Sequence, residues 1–212
     1  MTTELELADQ PVLVVRPRGA RALYLLAHGA GAGMRHEFME EIADALAERG
    51  IATLRYEFAY MRAGRARTDR PEVAEANVRA VWNAAAKKYG KLPRFAGGKS
   101  YGGRMTVRAH ATEPLRDARG LIFLGFPLHP PDKPGLERAE HLPRAPGPLL
   151  FLQGSRDEFA QLDLLRPVVT DLGTRATLEL FEGSDHGFTR PKGTIAKLAA
   201  STTAWIDRIL DS

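Results

Sequence analysis

Short apolar segments alternate with amphipathic segments along most of the chain. The apolar segments predict β-strands at 11–16, 22–27, 51–56, 94–97, 121–124, 149–152 and 176–181. The amphipathic segments carry apolar residues at helical spacing and predict helices at 36–49, 71–89, 101–112, 159–172 and 195–210. Strands that alternate with helices indicate a mainly parallel sheet covered by helices on both faces. We expect a single domain over residues 1–212, because a chain of this length suits one α/β core.

The junction between the fourth predicted strand and the next helix matches the pattern G-x-S-x-G, in the form Gly98-Lys99-Ser100-Tyr101-Gly102. A tight strand-to-helix turn would expose the Ser100 hydroxyl as a nucleophile, and the N–H of Tyr101 would form half of an oxyanion hole. The rival interpretation takes the same residues as the end of a phosphate-binding loop. That pattern needs a glycine at position 93, where this chain has proline, so we favour the nucleophile.

A second glycine-rich loop, at 28–33, follows the second predicted strand and has glycine at every second position. A dinucleotide-binding fingerprint would instead need a glycine in place of Met34. In a hydrolase, a loop at this place donates the second hydrogen bond to the oxyanion. We assign that donor to the N–H of Ala30 and take Gly31 as a candidate substrate contact. We expect His28 to hold the loop by hydrogen bonds.

Two later loops supply an acid and a base in the order nucleophile, acid, histidine. Asp157 follows the sixth predicted strand and His186 follows the seventh. His186 would accept the Ser100 proton, and Asp157 would fix the tautomer of its ring and stabilise the imidazolium. Glu158 and Asp185 are the competing acids. Asp185 adjoins the base and would have difficulty turning its carboxylate onto that ring, and Glu158 fits only if the next helix begins one residue later.

Five motifs together resemble the small α/β-hydrolases of the testis-expressed and NSL-complex-subunit type, and more distantly dienelactone hydrolase. They are HGAGA at 28–32, GGKSYGGRM at 97–105, FPLHPPDKP at 126–134, GSRD at 154–157 and DHGF at 185–188. The resemblance covers roughly residues 22–210 and implies an α/β-hydrolase fold with the same triad and oxyanion loop. It leaves the substrate open, because some members of this group are protein-complex scaffolds. Dienelactone hydrolase also departs from this chain by using cysteine where Ser100 stands.

The segment 126–147 occupies the place where many α/β-hydrolases insert a helical cap. It is short and contains six prolines, so we expect no cap domain. His129 in this segment is a candidate substrate contact, although a hydrogen bond within a rigid loop is the favoured role. Arg62 is a third candidate contact, for an anionic ester. It belongs to an arginine-rich loop that contains Arg62, Arg65, Arg67 and Arg70. We favour the interpretation that this loop is a solvated surface.

Composition narrows the function classes. Thirty Lys and Arg against 26 Asp and Glu give a formal net charge of +4, a mild excess that permits anionic partners but does not require a nucleic acid, and we expect no nucleic-acid partner. The chain has no cysteine and no long apolar run, so we expect a cytoplasmic protein without disulfides, membrane contact, metal or cofactor.

From the motifs, we expect a serine hydrolase that cleaves a carboxylic ester or related acyl bond of a small molecule. The alternatives are a non-catalytic scaffold that binds a protein or nucleic acid and, third, a nucleotide-binding module.

Overall fold

The computed structural model describes all 212 residues and contains eight strands, six α-helices and three short 3-10 turns. The strands are β1 Thr2–Leu7, β2 Gln10–Val15, β3 Ala22–Ala27, β4 Ile51–Tyr56, β5 Arg94–Lys99, β6 Ala118–Leu124, β7 Leu149–Gly154 and β8 Ala176–Phe181. The helices are α1 Glu37–Ala47, α2 Ala59–Arg62, α3 Pro71–Tyr89, α4 Tyr101–Thr112, α5 Leu162–Asp171 and α6 Thr194–Leu210. The 3-10 turns are Glu137–Ala139, Leu142–Arg144 and Gly173–Arg175.

All eight strands form one sheet in the order β1-β2-β4-β3-β5-β6-β7-β8. The pairs β1–β2 and β2–β4 are antiparallel, and every other pair is parallel. The predicted mainly parallel sheet is therefore confirmed. Because parallel strands all point the same way, the loops that follow β3, β5, β7 and β8 meet at one edge of the sheet.

Helices cover both faces of this sheet, as predicted, and the alternation of side chains along each strand divides the core in two. Along β3, Tyr24 and Leu26 belong to the core beneath α1 and α6, whereas Leu23 and Leu25 belong to the core on the other face. That second core contains the buried residues of α3, α4 and α5. Each face therefore has its own apolar layer, and the central strands are buried on both sides.

Three elements differ from the sequence-based expectations. Strand β1 was not predicted, and it pairs with β2 through a hairpin turn at Ala8 and Asp9, with φ of 54° and 56°. Such a turn usually contains glycine or asparagine, so the strongest local hairpin signal is missing from the sequence. Helix α5 begins at Leu162, three residues later than the predicted start at 159. The arginine-rich loop contains the single helical turn α2.

The segment 126–147 contains two 3-10 turns and no α-helix, as expected for a fold without a cap domain. None of the helices combines the length and the apolar character needed to span a membrane.

Candidate active site

The turn between β5 and α4 holds Ser100 in a strained backbone conformation, with φ 49° and ψ −116°. A non-glycine residue rarely adopts a positive φ with such a ψ, and this strain is typical of a functional turn. The chain passes so close to β3 that a Cβ on Gly98 would collide with the carbonyl oxygen of Ala27. A Cβ on Gly102 would lie 2.6 Å from the carbonyl oxygens of both Ala27 and His28. The glycines of the motif are therefore required by this close approach.

The structure brings Ser100, His186 and Asp157 together in one chain of hydrogen bonds. The Nε2 atom of His186 lies 2.8 Å from Ser100 Oγ, and its Nδ1 atom lies 2.7 Å from Asp157 Oδ2. Asp157 Oδ1 accepts a further bond from the N–H of Phe159 at 2.8 Å, and Oδ2 accepts one from the side-chain amide of Gln153. The carboxylate is an acceptor only, so His186 carries its proton on Nδ1 and leaves Nε2 free to accept the serine proton.

The two competing acids lie elsewhere. The carboxylate of Asp185 accepts hydrogen bonds from the backbone N–H and the hydroxyl of Thr189, at 3.2 and 2.9 Å. Glu158 is exposed to solvent. Asp157 is thus the carboxylate that faces the imidazole ring, and its side chain is fully buried.

Two backbone N–H groups near Ser100 have no acceptor within the protein. One belongs to Tyr101, at the N-terminus of α4, and the other to Ala30, in the loop after β3. The N–H of Gly31, in contrast, donates to the Tyr60 hydroxyl at 3.4 Å. The N–H groups of Ala30 and Tyr101 are therefore available to bind a negatively charged oxygen beside Ser100, as in an oxyanion hole.

His28 ties the loop that contains Ala30 to its neighbour. The ring is fully buried, with Nδ1 2.8 Å from the carbonyl oxygen of Gly29 and Nε2 accepting from the N–H of Phe58 at 3.1 Å. Burial lowers the pKa of His28, which favours the neutral ring that these two hydrogen bonds need. The structure thus places His28 in the loop-holding position that we expected.

A cavity of about 700 Å³ opens beside Ser100, between the start of α1 and the segment 187–196. Its apolar wall includes Phe38, Phe188 and Ile195, and the rings of the two phenylalanines stack with their centroids 6.2 Å apart. The cavity has the size and the partly apolar character of a small-molecule binding site. Ser100 and His186 line it together, so a molecule in the cavity lies against the hydroxyl and the imidazole.

None of the three candidate substrate contacts, Gly31, His129 and Arg62, lines this cavity, so the structure does not support those assignments. The N–H of Gly31 is turned to Tyr60. His129 is fully buried, with Nδ1 2.8 Å from the carbonyl oxygen of Pro130 and Nε2 accepting from the N–H of Gln161. The Arg62 guanidinium donates to Gln10, Asn77 and the carbonyl oxygen of Glu57, so it faces β2 and α3. His129 therefore has the rigid-loop role that we favoured for it.

Lys99 is the residue of the site whose place the sequence did not predict. Lys99 lines the cavity, and its Nζ atom donates a hydrogen bond to the carbonyl oxygen of His186 at 2.6 Å. Burial lowers the pKa of the Lys99 ammonium to about 8. A signal existed in the sequence, because Lys99 is a charged residue directly after the uncharged stretch 95–98 and directly before the serine. The G-x-S-x-G pattern assigns no role to that lysine. No group of three metal-ligating side chains converges anywhere in the structure.

Comparison with known proteins places this geometry in context. The structure of TT1662 from Thermus thermophilus has a TM-score of 0.77 and 23% identity, over 100% of this chain and 98% of that one. The structure of a dienelactone hydrolase from Anabaena variabilis has a TM-score of 0.77 and 20% identity, over 98% of this chain and 96% of that one. The structure of XC6422 from Xanthomonas campestris, described as a serine hydrolase without lid, has a TM-score of 0.74 and 19% identity, over 98% of this chain and 94% of that one. At these identities the similarity shows a shared fold. The family model described as an alpha/beta hydrolase domain matches residues 20–211, and the chain therefore belongs to the α/β-hydrolase family.

Proposed function

We propose that this protein is a serine hydrolase that cleaves a carboxylic ester or a related acyl bond through an acyl-enzyme on Ser100. The observation that carries the proposal is the hydrogen-bond chain from Ser100 through His186 to Asp157 at the wall of a cavity. Two of the similar structures are of proteins described as a dienelactone hydrolase and a lidless serine hydrolase, which supports a hydrolase. The resemblance to the testis-expressed type adds the same triad but no substrate.

In the first step, Ser100 Oγ attacks the carbonyl carbon of the substrate while His186 Nε2 accepts the hydroxyl proton. The carbonyl oxygen becomes an oxyanion, which the N–H groups of Ala30 and Tyr101 bind. The positive end of the α4 dipole adds to this stabilisation. Asp157 stabilises the imidazolium through Nδ1–H. When the tetrahedral intermediate collapses, the bond to the leaving group breaks and His186 returns the proton to that group.

In the second step, a water molecule takes the place of the departed alcohol. His186 accepts one of its protons as the water oxygen attacks the acyl carbon, and the same two N–H groups bind the second oxyanion. Collapse of this intermediate releases the acid and returns the proton to Ser100. Because no cap domain covers the cavity, we expect the enzyme to bind substrate without a lid movement.

A fluorophosphonate probe together with a p-nitrophenyl ester tests the proposal. The wild-type protein should be labelled and should hydrolyse p-nitrophenyl butyrate. Ser100→Ala should lose labelling and at least about 10⁴-fold of the turnover, because it removes the nucleophile and little volume. Ser201→Ala, on α6 and away from the cavity, is the matched control and should behave as the wild type.

Two results would contradict the proposal. One is activity of Ser100→Ala close to that of the wild type, which would exclude Ser100 as the nucleophile. The other is a folded wild-type protein that is neither labelled nor active on short acyl esters, thioesters and lactones. That second result would favour the non-catalytic scaffold that binds a protein or nucleic-acid partner.

A further inference from the structure

Lys99 places a positive charge in the wall of the cavity, directly before the candidate nucleophile. Its side chain is only 9% exposed. The Nζ atom lies 5.4 Å from the centroid of the Phe188 ring and 5.7 Å from that of Phe38, so two aromatic rings flank the ammonium inside the cavity wall. The charge therefore lies in the wall of the cavity that also contains Ser100.

This ammonium has no counter-ion in the protein. Its one hydrogen bond is with the carbonyl oxygen of His186, and no carboxylate lies within ion-pair distance. Asp157 and Asp185 are near enough to favour its charged form, but their oxygens are bonded to other groups. An ammonium has three N–H donors, so Lys99 retains donors that no protein acceptor uses.

A buried charge without a partner costs free energy, and proteins usually pair or neutralise such a group. An aliphatic side chain of similar length would fill the same space between Phe38 and Phe188 without that cost. The balance changes if a ligand supplies the missing anion, because an ion pair is stronger where water is excluded. The other charged residues that line the cavity, Glu37, Glu41 and Lys192, are exposed to solvent, so Lys99 is the buried cation that an anion beside Phe38 and Phe188 would meet.

We propose that Lys99 binds a carboxylate carried by the substrate, so that the enzyme prefers anionic esters over neutral esters of equal length. The inference rests on the proposed hydrolase function and names its substrate class. It moves the recognition of an anion from the arginine-rich loop, which lies outside the cavity, to a residue inside it. The alternative role for Lys99 is to hold the His186 carbonyl and thus the base. In that role its loss would affect all esters alike.

A pair of p-nitrophenyl esters separates the two roles. The monoester of glutaric acid carries a carboxylate where p-nitrophenyl valerate carries a methyl group. We expect the wild type to prefer the glutarate ester in kcat/KM. Lys99→Met should reduce that preference at least about tenfold, which is the effect expected for loss of a largely buried ion pair. Lys197→Met is the matched control, because Lys197 is exposed and does not line the cavity, and its preference should stay within about twofold of the wild type. An equal fall in both rates for Lys99→Met overturns the inference.

The wild-type protein gives a second measurement that does not depend on the folding of a variant. Because burial lowers the pKa of Lys99 to about 8, the ammonium loses its proton between pH 7 and pH 9. The preference for the glutarate ester should fall over that range. The other charged or titratable groups around this cavity are Asp157, Asp185, His186, His36, Glu37, Glu41 and Lys192. The rate with the neutral ester, measured at each pH, corrects for the titration of groups that act on the chemical steps. A preference that stays constant from pH 7 to pH 9 would contradict the inference.

Calorimetric titration with glutarate separates failure of this inference from failure of the proposed function. Glutarate should bind Ser100→Ala, and the double variant with Lys99→Met should bind it at least about tenfold more weakly. If the wild type hydrolyses neither ester but Lys99-dependent binding of glutarate persists, the hydrolase proposal fails and the anion site stands. If both esters are hydrolysed without preference and glutarate binding ignores Lys99, the anion site fails and the hydrolase stands.

Discussion

The buried carboxylate of Asp157 receives three hydrogen bonds, and its replacement by asparagine tests the site most sharply. Oδ2 faces donors on both His186 and Gln153, and Oδ1 accepts from the N–H of Phe159. Asparagine offers one acceptor oxygen and one NH₂ group, so at least one of the three donors must face another donor. If the amide NH₂ turns to His186, it favours a ring protonated on Nε2, which cannot accept the Ser100 proton.

Two magnitudes follow for Asp157→Asn. The loss of the correct tautomer and of the charge that stabilises the imidazolium should lower kcat by about 10⁴-fold. A buried donor left without an acceptor should lower the free energy of unfolding by about 1–3 kcal/mol. Turnover of p-nitrophenyl butyrate measures the first quantity, and urea denaturation followed by circular dichroism measures the second.

Asp185→Asn is the control, because Asp185 is adjacent to His186 in sequence but its carboxylate is bonded to Thr189. We expect it to keep at least about a tenth of the wild-type turnover, since its side chain does not contact the imidazole. The reverse ranking, with Asp185→Asn the more damaging, would refute the assignment of Asp157 as the acid. Full activity of a folded Asp157→Asn would do the same.

Three further predictions concern stability and the arginine-rich loop. In a helix, alanine is normally more stable than glycine by about 1 kcal/mol. Gly102→Ala should nevertheless lower the free energy of unfolding in urea by about 2–3 kcal/mol, because its Cβ would lie 2.6 Å from two carbonyl oxygens. Gly29→Ala, whose nearest contact would be 3.5 Å, should change stability by less than about 1 kcal/mol. Burial lowers the pKa of His28, so the unfolded chain binds the proton more readily than the folded protein does. The free energy of unfolding should therefore fall as the pH drops below about 6.5. The fall should be shallower in His28→Gln, and an equal fall would contradict this assignment. Three arginines of the arginine-rich loop lie outside the cavity: Arg65, Arg67 and Arg70. Their joint replacement by glutamine should leave the ratio of rates for anionic and neutral esters unchanged. A fall in that ratio would restore the loop as a substrate contact.

The sequence alone determined the order of the main elements and the turns that carry the candidate chemistry. Apolar periodicity depends on which face of each segment is buried, so it marked the central strands and all the long helices. The glycines around Ser100 marked the turn, because no other residue fits a chain that passes so close to a neighbouring strand. Asp157 and His186 were singled out because each follows an apolar strand of the same sheet, whose ends meet at one edge.

The directions of individual side chains were decided only by the tertiary structure. The sequence favoured Asp157 over its competitors Asp185 and Glu158, and the packing of the loops after β7 and β8 turned Asp157 to the imidazole. The same packing brought the carbonyl of His186 to Lys99, a contact between residues 87 positions apart. Contacts with β2 and α3 likewise hold Arg62 outside the cavity, and contacts with Pro130 and Gln161 hold His129. Local patterns record burial and turn geometry, which depend on near neighbours in the chain, whereas these contacts depend on the arrangement of distant segments around the finished sheet.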